Sequence, residues 1–254
     1  MANLSALDGQ TALITGASSG LGRHFALTLA RAGAHVALCA RRGDKLASLV
    51  EEIEAFDGRA MAFSMDVTDA SSIEAAVDAA ETELGAINVL VNNAGIAVQK
   101  NAIDISEEDY DNLFNTNTRG AFFVATAVGK RMIQHGHGGS IINIASVAAI
   151  RAVRQLSIYS MSKIAVTQMT KSLALEWARY NVRVNAIAPG YIETEMNQAY
   201  FASEAGKKFS DTFLRRRVGV PEHLDGALLL LATSASEFMT GETVVVDDGL
   251  NLAI

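Results

Sequence analysis

A single cysteine, Cys39, in 254 residues excludes an intramolecular disulfide and a thiolate metal cluster within the chain, and fits a reducing compartment. Proline occurs twice, so proline-rich and long disordered segments are not expected. No run of about 18 apolar residues occurs, and the start, MANLSALDGQ, lacks a basic flank and an apolar stretch. Neither a membrane span nor a secretory signal is therefore expected, and a cytoplasmic location is. Positive charge is scarce: 21 Lys and Arg stand against 28 Asp and Glu, for a formal net charge of −7. That balance gives no broad footprint for nucleic acid or for an anionic membrane surface. Apolar residues, by contrast, make up 50% of the chain, enough for one substantial core.

Along the chain, short β-forming runs alternate with amphipathic patterns. Thr11 to Thr15 reads as a strand, followed by a Gly/Ser turn and a helix marked by Leu21, Phe25 and Leu29. The next strand is His35 to Ala40, with a helix through Lys45, Leu49 and Ile53; Ala60 to Ser64 and Ile73 to Leu84 repeat the unit. Asn88 to Val91 and Ser140 to Ala145 are further strands, separated by a helical pattern from Asp109 to Gln134. A long helix is expected from Ile158 to Tyr180, and Val182 to Ala188 and Thr243 to Val246 complete about seven strands. Such alternation implies a doubly wound parallel α/β sheet with helices on both faces, because parallel neighbours need crossovers. No composition shift divides residues 1–254, so one domain is expected. Its least regular stretch, 191–217, reads as an insertion of the lid type.

After the first strand comes Thr15-Gly16-Ala17-Ser18-Ser19-Gly20-Leu21-Gly22, opening a helix. Glycines permit a tight turn and close backbone approach, and the helix N-terminus favours a pyrophosphate, so this is the expected dinucleotide site. Where an NAD site would offer a carboxylate at the end of the second strand, the chain has Arg41-Arg42. Their guanidinium groups suit a 2′-phosphate, which predicts NADP(H) over NAD(H) with Arg41 as the leading contact, unless both are simply solvated. Asp66, in Ser64-Met65-Asp66-Val67, either accepts from the adenine amino group or caps a turn.

Tyr159 and Lys163 are four apart on one face of the long helix, and Ser146 lies just beyond the fifth strand, at the edge where open α/β sheets bind ligands. Together with Thr15 to Gly22, Asn92 to Gly95 (NNAG), Asn117 to Gly120 (NTRG), Tyr159 to Lys163 (YSMSK) and Pro189-Gly190, they make the chain resemble the short-chain dehydrogenase/reductase family along essentially its whole length. The resemblance implies a Rossmann-type fold and a homo-oligomer, a tetramer before a dimer. It also implies reversible hydride transfer between a nicotinamide and a small-molecule carbonyl or secondary alcohol. It makes Asn117, Ser146, Tyr159 and Lys163 the catalytic set. Ser146 would donate to the substrate oxygen, Tyr159 would be the acid/base, Lys163 would also hold the nicotinamide ribose, and Asn117 would order a relay water. A free tyrosine titrates near pH 10, and a neighbouring ammonium would favour its phenolate. The resemblance further assigns Asn93, Ala94 and Gly95 to the adenosine ribose and sheet, and Val67, Pro189, Gly190, Ile192 and Thr194 to the cofactor's surroundings, Thr194 at its carboxamide.

Within that family the chain is similar to 3-oxoacyl thioester reductases and NADP-dependent carbonyl reductases. It departs from the carrier-protein reductases at Leu175, where they commonly carry an arginine. The alternatives left open are a thioester reductase, a catabolic alcohol dehydrogenase, and an NADP(H) sensor without turnover. Arg151 and Arg154, between Ser146 and Tyr159, either hold an anionic substrate group or serve as subunit contacts or solvated residues. His135 and His137 are expected in a flexible loop without a metal, Cys39 as core packing, Trp177 on a helix interface and Leu228 to Leu231 in a buried helix.

Overall fold

The computed structural model describes residues 7–195 and 197–252; the sequence also suggests that the tail from Leu250 to Ile254 shapes a pocket or interface, and of it 253–254 lie outside the described residues. Seven strands, β1 (Thr11–Thr15), β2 (His35–Ala40), β3 (Arg59–Ser64), β4 (Ile87–Asn92), β5 (Gly139–Ile144), β6 (Val182–Pro189) and β7 (Thr243–Val246), form one sheet. Its order is β3-β2-β1-β4-β5-β6-β7, with every pairing parallel. The expected doubly wound sheet is thus present, of Rossmann type.

Burial explains the sequence pattern. β1 and β4 to β6 are almost wholly buried because helices cover both faces, so they read as mainly apolar runs with few polar positions. The edge strands β3 and β7 are partly exposed; in β3 this shows as a mixed pattern, RAMAFS, whereas β7 stays apolar after Thr243. Successive residues point to opposite faces: Ile14 joins the core under α1 (Gly20–Arg31), α2 (Gly43–Glu54) and, further along, α9 (Asp225–Ala232). Its neighbour Leu13 joins the core under α3 (Ala70–Leu84), α5 (Ala121–His135) and α6 (Ser157–Trp177). Cys39 is fully buried in the second of these cores, and burial pushes its thiol up to about 12. Trp177 covers Gly129 of α5, where a Cβ would meet the indole at 2.6 Å, so it does sit on a helix interface.

Several expected boundaries move. The pattern from Asp109 to Gln134 is not one helix: α4 (Glu107–Phe114), closed at its start by a Ser106/Asp109 capping box, runs into a π-helical turn, Asn115–Gly120, before α5 begins. The long helix ends at Trp177, and Ala178–Tyr180 is a 3-10 turn closed by Asn181 in the left-handed region. His135 is the last residue of α5 rather than part of a loop; it takes Glu81 as partner and stacks on His137. The irregular stretch 191–217 holds two short helices, α7 (Gln198–Ala202) and α8 (Glu204–Ser210). Among the described residues no helix is long and apolar enough to cross a membrane, and no group of three or more His, Cys, Asp or Glu could hold a metal.

Candidate active site

The sheet order reverses direction between β1 and β4, and the candidate residues gather at the carboxyl ends of the strands around that switch point. After β1, Gly16 adopts φ +67°, and a Cβ there would stand 2.9 Å from the Asn93 side chain. At Gly22 a Cβ would come within 2.3 Å of the Gly16 carbonyl oxygen, so only glycine lets α1 start this close to the turn. Ser19 is the N-cap of α1 but makes no side-chain capping bond, in contrast to Asp69 at α3 and Ser106 at α4. The first N–H groups of α1 thus face the loop without a side-chain acceptor, which is the donor set a pyrophosphate needs. Gly20 faces Thr194, whose methyl group lies 3.9 Å from where a Cβ would be, and Leu21 packs on the adjoining core.

The turn is stitched to its neighbour strand by Thr15, Asn93 and Ala94, the last two expected at the sheet and the adenosine ribose. Thr15 Oγ1 accepts from the Asn93 and Ala94 backbone N–H groups at 3.0 and 2.9 Å, and Asn93 Nδ2 donates to the Thr15 carbonyl at 2.9 Å. Asn92 donates to the Ala121 carbonyl and to Asn143. A threonine at a strand end has no spacing signature, so nothing in the sequence singled Thr15 out.

At the end of β2 the two arginines take different positions. Arg42, not Arg41, bends over the glycine turn, donating to Ser18 Oγ at 2.8 Å and Ser19 Oγ at 2.7 Å. Both are exposed; Arg42 is the N-cap of α2 and points back toward β1, and Arg41 lies beside Asp66. Asp66 uses one carboxylate oxygen to accept from the Thr68 N–H and hydroxyl at 2.9 and 2.7 Å, which builds a turn before α3 and, with Thr68 foremost, lowers its pKa. Val67 lies against the π turn, its carbonyl 2.7 Å from where a Cβ of Gly120 would be.

Ser146, Tyr159, Lys163 and Asn117 come together at the ends of β4 and β5. Ser146 starts a 3-10 turn, Val147–Ala149, and its Oγ accepts from the Ala148 N–H at 3.1 Å, leaving the hydroxyl proton free to be donated elsewhere. Tyr159 is in the first turn of α6; burial raises its phenol pKa, while hydrogen bonding with Ser146 works the other way. Lys163, one turn on, is only 5% exposed and donates from Nζ to the Ile144 carbonyl at 2.8 Å, with Nζ 5.7 Å from the centre of the Tyr159 ring. Burial brings its ammonium down to about 8. Gly95 keeps this corner open, since a Cβ there would lie 3.6 Å from Lys163 Nζ and 3.3 Å from Asn117 Oδ1. Asn117 clasps the backbone of Ile96 from both sides, accepting its N–H and donating to its carbonyl, both at 2.8 Å.

The far wall comes from β6 onward. Pro189 ends the strand, and Gly190 abuts Asp247 so closely that a Cβ would be 2.8 Å from the Asp247 Cα. Asn197 ties the next turn by accepting from the Thr194 N–H and donating to the Ile192 carbonyl. Tyr191 is boxed by Phe201, Phe209 and Phe213. Of the two arginines between Ser146 and Tyr159, Arg151 donates to the Leu250 carbonyl, so part of its guanidinium is engaged by the chain itself. Arg154 is exposed and makes no hydrogen bond among the described residues. Arg215 and Arg217, at the close of 191–217, both grip Asp248, and a cavity of about 190 Å³ opens between them and Tyr191.

Comparison with known proteins agrees with this geometry. The family described as short chain dehydrogenase matches residues 10–205. A 2-dehydro-3-deoxy-D-gluconate 5-dehydrogenase from Dickeya dadantii is 39% identical over 96% of this chain and 96% of its own. A 3-oxoacyl-[acyl-carrier-protein] reductase from Thermotoga maritima is 38% identical, covering 96% and 98%. The crystal structure of a gluconate 5-dehydrogenase from Burkholderia cenocepacia in complex with NADP and tartrate, 38% identical, superposes with a TM-score of 0.93 over 98% of both chains.

Proposed function

The chain belongs to the short chain dehydrogenase family and is an oxidoreductase of that family; from that premise we propose that it moves hydride between NADP(H) and a secondary alcohol or ketone of a polyhydroxy acid. The observation that carries the reading is the convergence of Ser146, Tyr159 and a buried Lys163 at the carboxyl edge of β5, beside an uncapped α1 and its glycine turn.

Gly16 to Gly22 and the first turn of α1 would hold the pyrophosphate. Arg41 and Arg42 would meet the 2′-phosphate, Arg42 being already drawn over the turn by Ser18 and Ser19, and Asn93 to Gly95, Pro189, Gly190, Ile192 and Thr194 would line the remainder. When bound, the nicotinamide supplies or accepts the hydride. Ser146 donates its free hydroxyl proton to the substrate oxygen, where charge gathers during reduction. Tyr159 hands a proton to that same oxygen, and takes it back when the alcohol is oxidised. Lys163 stands near enough to favour the phenolate of Tyr159 and is itself anchored on Ile144.

The polyhydroxy-acid class is supported by the named activities of two of the similar proteins and by the tartrate in the structure of one of them. Arg154, with its free guanidinium, is the better placed of the two arginines to meet a carboxylate, while Arg151 is held on Leu250. The thioester reading has a relative of equal identity behind it. Against a carrier-protein partner stands Leu175, 84% exposed and uncharged where such a partner would need a cation. The chain works as one domain, with 191–217 as its substrate loop, in the cytoplasm. It assembles as a homo-oligomer, a tetramer before a dimer, a reading supported by exposed Phe122, Phe123, Met161 and Ile164 on neighbouring helices and checked by light scattering.

The test is NADPH consumption by the purified protein, followed by absorbance, with 5-dehydrogluconate, a 3-oxoacyl-CoA and an uncharged ketone in parallel and NADH as control. Turnover of the keto acid with NADPH ahead of NADH is expected, and Tyr159→Phe should lower kcat by at least about 100-fold while NADPH still binds. Preference for the thioester would reassign the substrate, faster reaction with NADH would overturn the role of Arg42, and binding without any turnover would make the protein a sensor.

A further inference from the structure

Between the cofactor side and the acid/base helix runs a connection that the catalytic set does not include. Ser162 is fully buried in α6, between Tyr159 and Lys163. Its Oγ donates to the Tyr159 carbonyl at 2.7 Å and accepts from Asn117 Nδ2 at 3.1 Å. Asn117 in turn holds both backbone groups of Ile96, the residue after Gly95. Every polar atom of the Asn117 amide and of the Ser162 hydroxyl is thereby committed, in a buried place where an unmatched donor is costly.

The route depends on the π turn. In an uninterrupted α-helix from Asp109 to Gln134, position 117 would follow the 3.6-residue spiral; the widened turn Asn115–Gly120 instead delivers Asn117 to Ile96 and Ser162 together. Ser162 then braces the turn of α6 that carries Tyr159, because the carbonyl it grips is Tyr159's own.

We propose that Ser162 is a positioning residue: through Asn117 it locks the Tyr159–Lys163 turn in register with the backbone at Ile96, and so sets the Tyr159 hydroxyl against the substrate oxygen. This rests on the reading of Tyr159 as acid/base. Ser162 touches neither substrate nor cofactor, and acts on the rate through the alignment of the turn.

The experiment compares wild type, Ser162→Ala, Asn117→Ala and the double variant by steady-state kinetics, NADPH fluorescence binding, and ultraviolet difference titration of the Tyr159 phenolate against Tyr159→Phe. Ser162→Ala is expected to keep NADPH binding, lower kcat about tenfold with little change in KM, and move the phenolate titration upward. In the Asn117→Ala background the same substitution should cost less than about twofold, since the two act as one unit. A wild-type kcat and titration in Ser162→Ala overturns the proposal, and so does an undiminished effect in the Asn117→Ala background. Loss of NADPH binding in Ser162→Ala does so too, because it marks a general collapse of the site. The titration needs no substrate, so a failed assignment of the reaction would show in the wild-type assay alone while the titration still decides the role of Ser162.

Discussion

A lysine with its Nζ on a backbone carbonyl and 5% of its surface exposed is held against the preference of its charged form. Lys163 titrates at about 8 in the fold against 10.5 for an ordinary lysine, so the folded state favours the neutral amine. The sign follows: below pH 8 the full burial penalty, of the order of 3 kcal/mol, weighs on the native state; it shrinks as pH rises toward 10.5 and is gone above that. Lys163→Met should therefore be more stable than wild type to urea at pH 7, with a margin that narrows by pH 10; a margin independent of pH would show that burial of the charge is not the cause. The residue pair itself was legible, because Tyr159 and Lys163 share a helix face four apart and Ser146 follows a strand. Their partners were not. Ile144 and Ile96 contribute backbone groups, which any residue would offer, and Ser162 stands inside a quoted motif without announcing that its hydroxyl turns back on Tyr159.

At the scale of elements, strands were read almost to the residue, β1, β2 and β7 with their observed limits, because short β-forming runs here are bounded by turn residues. The break in the helix from Asp109 to Gln134 was missed, although Asn115-Thr116-Asn117-Thr118-Arg119-Gly120 offers six successive positions without an apolar side chain. Such a gap in the periodicity was the available signal. The bonds of Arg42 to Ser18 and Ser19 could not be read, since adjacent residues at a strand end leave in opposite directions and the choice depends on where α2 begins. The glycine turn makes the firmest prediction at this scale. Gly22→Ala puts a methyl group 2.3 Å from the Gly16 carbonyl, so α1 must retreat from the turn; NADPH affinity should fall at least about tenfold while circular dichroism keeps the α/β signature. Unchanged affinity would mean that the start of α1 does not hold the phosphates.

Across the whole molecule, the strand order puts six loops on one edge, and a doubly wound topology dictates that edge before any side chain is chosen. What topology leaves open is closed by the segment after β7. Asp248, at φ +55°, is held by Arg215 and Arg217, with Arg217 foremost in bringing its carboxyl down to about 2. The latch is present above pH 3.8 and is lost as pH falls toward 2. Asp248→Asn should raise KM for the carbonyl substrate several-fold and leave NADPH binding unchanged, with wild type moving toward the variant at high salt because these pairs are exposed. An unaltered KM would show that the loop keeps its place without them.

The carbonyl of Leu250 on Arg151, and its side chain packed with Val147 and Phe213, fasten this same segment beneath the turn that begins at Ser146. Synthesis runs from the amino to the carboxyl end, so α9, whose Leu228 and Leu231 finish the core under α1, and this brace are among the last parts to be made. A chain interrupted after β6 would carry the glycine turn, Arg42 and the Tyr159 helix but not the brace beneath Ser146. Such a fragment would also lack α9, so the core under α1 and the support of the Ser146 turn are lost together.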